Sequence, residues 1–119
     1  MRWILIAAAL LGASSVILGA ALKHAMVTSE FDTLQTALRY HQIHSVVLLS
    51  LGLYALNQTP QRSVIISACL FVVGILIFSG SLYLIVLYDV PQLGKLTPLG
   101  GIALILGWLS LIFVKPKKA

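Results

Sequence analysis

Four stretches of this sequence carry no charge: Trp3–Leu22 (20 residues), Tyr40–Gln61 (22), Ser63–Tyr88 (26) and Leu96–Val114 (19). A helix needs roughly 20 apolar residues to cross a hydrocarbon core of about 30 Å. Lipid cannot hydrogen-bond a bare backbone, so a spanning segment is a helix or a barrel strand, and these runs lack the alternation of barrel strands. The chain therefore reads as all-α: a four-helix transmembrane bundle of up-down topology. It forms a single integral-membrane domain, residues 1–119, with spans at about 3–22, 40–57, 63–88 and 96–114. Composition removes the rival classes. At 60% hydrophobic and 9% charged, against about 25% charged in a soluble domain, the chain cannot cover a water-facing shell. Soluble enzymes, nucleic-acid binders and disordered chains are excluded, and the lipid bilayer is the first partner.

Orientation follows from the basic residues. With four spans, Arg2, Arg62, Lys115, Lys117 and Lys118 share a face with both termini. Lys23, Arg39 and Lys95 lie on the other, with the acids Glu30, Asp32 and Asp89. The excess puts both termini in the cytoplasm. Arg2, the apolar run and Gly19-Ala20-Ala21 also have the form of a signal peptide, but 20 uncharged residues exceed the usual h-region of about 7–15. The tail Lys115-Pro116-Lys117-Lys118 reads as a headgroup anchor rather than a nucleic-acid patch. Cys69, alone in an apolar run, forms no intrachain disulfide.

The short polar connections favour antiparallel neighbours. In the first outer loop, Ser29-Glu30-Phe31-Asp32 has the form of a capping box. Phe31, Leu34 and Leu38 follow on one helical face, so a short amphipathic interfacial helix is expected before the second span. Small residues recur every seven positions within the spans: Ser67, Gly74 and Ser81; Ser45 and Gly52; Gly100 and Gly107. These predict faces where helices approach closely.

Polar residues gather toward one end. His24 closes the first span, Arg39, Tyr40, His41 and His44 open the second, Ser79, Ser81 and Tyr83 follow on the third, and Thr97 opens the fourth. Polar groups in a membrane point to a bundle interior or an aqueous cavity, so these nine residues form the candidate site, in the outer leaflet. Each also has a plainer role. Thr97-Pro98 reads as an N-cap with Pro in the first turn, Ser79 and Ser81 as helix-to-helix hydrogen bonds, and Arg39 as a snorkelling side chain or a partner for Asp32 or Glu30. His24, His41 and His44 are the candidate ligands for a metal or haem. Their spacing and the lack of a carboxylate or thiol partner favour hydrogen-bonding histidines, so no metal and no cofactor is assigned. The acids lie in outer loops and no nucleophile elbow or phosphate loop occurs, so no enzymatic activity is expected.

Three of these segments carry a resemblance. Leu38-Arg39-Tyr40-His41-Gln42-Ile43-His44-Ser45, Phe78-Ser79-Gly80-Ser81-Leu82-Tyr83, and Thr97-Pro98-Leu99-Gly100-Gly101 through Gly107-Trp108 resemble the domain-of-unknown-function 423 family of small bacterial inner-membrane proteins. The family's usual Gly-Ala-Phe-Gly-Ala-His reads here as Gly19-Ala20-Ala21-Leu22-Lys23-His24, and His41 stands where many members have Gln. The resemblance implies a multi-pass membrane protein and no particular activity. The functional expectation is a non-enzymatic structural or interaction protein, as a homo-oligomer or an accessory of a larger membrane complex. The alternative is a ligand-binding or transport protein using the cluster as a pocket for quinone, lipid, metal or haem. An oligomeric channel ranks third, since no inward row of charges lines a pore.

Overall fold

The computed structural model describes residues 2–23, 28–57 and 61–115. Four α-helices carry the fold: α1 (Arg2–Lys23), α2 (Thr28–Leu56), α3 (Arg62–Leu87) and α4 (Thr97–Ser110). Single 3-10 turns at Pro91–Lys95 and Leu111–Phe113 flank the last. Among the described residues there is no strand. α1, α3 and the segment Pro91–Phe113 are long and apolar enough to cross a membrane. α2 is the longest helix, 29 residues, but Arg39, His41, Gln42 and His44 fall in its middle and lower its hydropathy below that of its neighbours.

The interfacial helix expected in the first outer loop is not a separate element. Residues 28–40 form the opening turns of α2, which starts one residue before the expected Ser29 cap. No Pro or Gly interrupts residues 28–51, so nothing breaks the helix between its amphipathic start and its apolar end. At 1.5 Å per residue α2 is about 43 Å long. His41 and His44 consequently lie near its midpoint, not at its outer end.

Helices pack in chain order, α1 on α2, α2 on α3 and α3 on α4. The molecule is a slab of 54 × 27 × 17 Å. The apolar core includes Ile4, Leu48, Ala55, Val64, Phe71 and Leu104, and it is richest toward the end where α1 begins and α2 meets α3. The small-residue stripes are where close approach occurs. On α3, Ser67, Gly74 and Ser81 are all buried and face α4: a Cβ on Gly74 would come within 2.6 Å of Leu104 Cδ2. From the other side, a Cβ on Gly107 would fall 2.9 Å from the Phe71 ring, and one on Gly100 would overlap the Phe78 backbone. On α2, Gly52 lies against the Leu5 backbone of α1, at 3.1 Å from the same construction.

The turn from α3 to α4 uses Asp89 at φ 53°, a left-handed conformation that Asp tolerates better than most residues. The 3-10 turn then runs into α4 through Leu96, which is already right-handed helical (φ −85°, ψ −29°). Thr97 is therefore not the N-cap expected from its sequence. The amides such a cap would serve are taken by the backbone, since Leu99 N and Gly100 N both donate to Leu96 O.

Gly100→Ala should destabilise the fold by about 1–3 kcal/mol, the usual cost of overpacking a close contact. Gly80→Ala, where a Cβ meets nothing within 4 Å, should be neutral or stabilising by less than about 1 kcal/mol. Reversible denaturant unfolding in micelles measures both. Equal effects at the two positions would refute this account of the α3–α4 contact.

Candidate functional site

Of the nine residues singled out from the sequence, the eight that are described do not converge on one pocket. Most of them take part in separate interhelical fastenings. His24 lies outside the described residues. Arg39 is on the exposed side of α2, whereas His41 and His44 are buried, 4% and 5% exposed. Tyr40 is partly exposed, its ring stacked near His44 (5.9 Å between centroids) and tilted against Phe78 (4.7 Å).

His44 joins α2 to α4. Its Nδ1 lies 2.7 Å from the Tyr40 carbonyl of the preceding turn, and the Trp108 indole donates to its Nε2 at 2.9 Å. A carbonyl only accepts and an indole N–H only donates. His44 is thus a neutral imidazole with its proton on Nδ1. Phe71 of α3 packs against both rings, with its ring centroid 5.7 Å from His44 and 5.6 Å from Trp108. His44 and Trp108 meet edge-on at 5.8 Å.

His41 joins α2 to α1 and α3. Its Nε2 is 3.1 Å from Ser14 Oγ and its Nδ1 is 3.0 Å from the Tyr83 hydroxyl. The Ser14 hydroxyl also lies 2.9 Å from the Leu11 carbonyl. One assignment gives every hydrogen an acceptor: Tyr83 O–H donates to Nδ1, Nε2–H donates to Ser14, and Ser14 donates to Leu11. His41 therefore carries its proton on Nε2, the opposite nitrogen from His44. Although three residues apart on one helix, the two imidazoles serve different interfaces, and each has both nitrogens engaged. Among the described residues no group of three His, Cys, Asp or Glu is placed to hold a metal. A metal at either histidine would displace a bond already made.

The hydroxyls act in the same way. Ser79 donates across to the Ala37 carbonyl of α2 at 2.7 Å. Ser81 donates to the Phe78 carbonyl at 2.9 Å and meets Thr97 Oγ1 at 2.6 Å, joining α3 to α4. Among the described residues no buried side-chain nitrogen or oxygen lacks a partner. A recess of about 180 Å³ beside His41, Ser79 and Tyr83 is walled by Leu11, Leu18 and Leu76, which is small beside the roughly 300–1,000 Å³ of ordinary ligand pockets.

Other participants were not foreseen. Ser14 belongs to the middle of α1, well before His24, and nothing in its local sequence separates it from Ser15. Trp108 carried a signal, since a Trp N–H seeks an acceptor when shielded from water, but not the identity of its partner. A second polar group lies at the opposite end of the slab. There the Gln61 carboxamide pairs with the Lys115 peptide, accepting from Lys115 N at 3.0 Å and donating to its carbonyl at 2.9 Å. The Tyr54 hydroxyl donates to the same carbonyl at 2.9 Å. Between the two ends, Ser67 and Ser110 meet at 2.6 Å.

Comparison with known proteins places the chain in a family. The family described as protein of unknown function (DUF423) matches residues 18–101, a stretch that contains all nine candidate residues. A UPF0382 membrane protein of Staphylococcus aureus is 38% identical over 85 residues, covering 71% of this chain and 68% of the relative. The UPF0382 membrane protein YwdK of Bacillus subtilis is 34% identical over 82 residues, covering 69% and 67%. The UPF0382 inner membrane protein YgdD of Escherichia coli is 32% identical over 119 residues, covering 93% and 87%. No solved structure matches the chain.

Side-chain 15N NMR of the protein in micelles should show the two imidazoles as opposite neutral tautomers, Nδ1–H in His44 and Nε2–H in His41. The same tautomer in both rings would contradict the bonding pattern.

Proposed function

The chain belongs to the DUF423 family of membrane proteins, and from that premise we propose that it is a non-enzymatic structural or interaction protein of the bacterial inner membrane. In this reading its buried polar groups serve to fix the packing of four membrane-crossing helices. The observation that carries the reading is the saturation of those groups. Both nitrogens of His41 and of His44 are bonded within the chain, and no buried side-chain polar atom of the described residues is left over for a substrate. The bonds these residues make tie α2 to α1, α3 and α4, which is what a packing role asks of them.

In the same reading α2 crosses the membrane with the other three helices, shielded by its neighbours where its own hydropathy is low. Both termini lie in the cytoplasm, on the side with five of the eight basic residues. The opening turns of α2, with exposed Glu30, Phe31 and Asp32, reach into the outer headgroup region. The recess beside His41 is what favours the second reading, a membrane-embedded ligand-binding or transport protein for a quinone, lipid, metal or haem.

Two measurements test the proposal. Native mass spectrometry of protein extracted gently from its own membrane should release the chain, or an assembly of chains, without a defined non-lipid mass. A stoichiometric small molecule that Trp108→Phe removes without loss of fold would establish the ligand-binding reading instead. Under the structural reading Trp108→Phe lowers stability by about 1 kcal/mol, the scale of an interhelical bond in a membrane. For orientation, a single cysteine placed at the C-terminus of a Cys69→Ser chain should react with membrane-impermeant maleimide only after the cells are opened. Labelling in intact cells would reverse the topology.

A further inference from the structure

Gln42 lies near the midpoint of α2 and is exposed on the side of that helix that runs beside α1. Its carboxamide nitrogen reaches up the seam to Gly19, 3.9 Å from where a Cβ would sit. Neighbouring His41, His44 and Ser45 are all hydrogen-bonded, while no hydrogen bond among the described residues engages the Gln42 side chain. Its companions on α1, Ser15 and Gly19, belong to a helix long and apolar enough to cross the membrane. No described residue partners this carboxamide, and with α1 and α2 crossing the membrane as proposed above it faces hydrocarbon, where a polar group without a partner is costly.

The surface around Gln42 is open. A recess of about 420 Å³ runs along the seam past Ala9, Gly12, Val16 and Leu49. A second, of about 240 Å³, continues beyond Gly19 past Gln35 and Leu38. A Cβ on Gly12 would meet nothing within 4 Å, so no contact inside the chain calls for a glycine there. Leu5, Gly12 and Gly19 are seven apart on α1, and Gln35 and Gln42 are seven apart on α2. Each set forms one stripe, and both border the same groove.

We infer that the α1–α2 groove is the surface on which two copies of this chain meet, with Gln42 of one copy paired to Gln42 of the other. Copies inserted in the same orientation are related by a two-fold axis along the membrane normal. In an isologous contact about that axis, equal positions stand at equal depth. A residue at the seam therefore meets itself, which suits only a group that is its own complement. A carboxamide is such a group, with two N–H donors and a carbonyl acceptor. The charged residue at the groove, Lys23, ends α1 and can extend toward water. A lipid chain in the groove would leave the carboxamide unpaired. This inference rests on the membrane-crossing reading of α1 and α2 proposed above and adds the partner to it.

Crosslinking in native membranes tests it, using the full-length chain with Cys69→Ser as background. Gly12→Cys places a thiol in open space, so the monomer fold is undisturbed, and far-UV circular dichroism verifies this. Oxidation or a short bismaleimide should convert most of that variant to a species of twice the chain mass. Val73→Cys, exposed on α3, should give less than a tenth as much. Adding Gln42→Leu should reduce the Gly12→Cys crosslink at least tenfold, and Gln42→Asn should retain it. No dimer at Gly12→Cys, equal yield at both positions, capture of a different protein, or indifference to Gln42→Leu would each overturn the inference. None of those outcomes alters the internal bonding of His44 and Trp108, whose proposed role is judged separately by native mass spectrometry.

Discussion

Three rings from three helices meet at the centre of this protein: His44 of α2, Phe71 of α3 and Trp108 of α4, with every pair of centroids between 5.6 and 5.8 Å. The hydrogen bond from Trp108 to His44 spans 64 residues of chain and links helices that are not consecutive. It forms only because Phe71, completely buried, fills the gap beneath it, and Phe71 fits only because residue 107 has no side chain. Apolar packing and polar bonding are thus parts of one contact. Without water to satisfy an imidazole, position 44 requires a neighbouring helix to supply the donor, and that requirement fixes where α4 lies along α2.

The hydroxyl bonds extend the same logic outward. Ser79 secures α3 to α2, Ser81 and Thr97 secure α3 to α4, and Ser14 secures α1 to α2 through His41. α3, a strongly apolar helix, is the common neighbour of α2 and α4. It is held less by hydrophobic attraction, which lipid would satisfy equally well, than by close approach at small residues and by these bonds. The relatives of the chain in the DUF423 family are named as membrane proteins, the setting in which such fastenings count.

Much of this was legible in the sequence. Charge-free runs located α1, α3 and the last helical segment, and the seven-residue spacing of Ser67, Gly74 and Ser81 identified the face of α3 that meets α4. Helix boundaries were less legible. The capping signal at Ser29 was read as an isolated helix because charged residues separate it from the apolar run. Yet a helix continues wherever no residue breaks it, and α2 runs through. Thr97 was read as a cap because the sequence does not reveal that a 3-10 turn supplies the same acceptors first. The depth of the polar residues followed from these boundaries, so a cluster expected at one end became a set of fastenings at several levels. Partners distant in sequence were the least visible: no local pattern ties Trp108 to His44, or Gln61 to the Lys115 peptide.

The direction of the bonds through His41 decides where each row of polar groups ends. Proton-translocating proteins carry chains of ionisable side chains that can pass a proton from one side of the membrane to the other. Here the row runs from Tyr83 through His41 to Ser14 and stops at the Leu11 carbonyl, an oxygen with no hydrogen to hand on. The row at His44 starts from an indole and stops at the Tyr40 carbonyl. Each row ends on a backbone carbonyl one helical turn from its last side chain, so among the described residues neither imidazole hands its hydrogen bond on to another ionisable group.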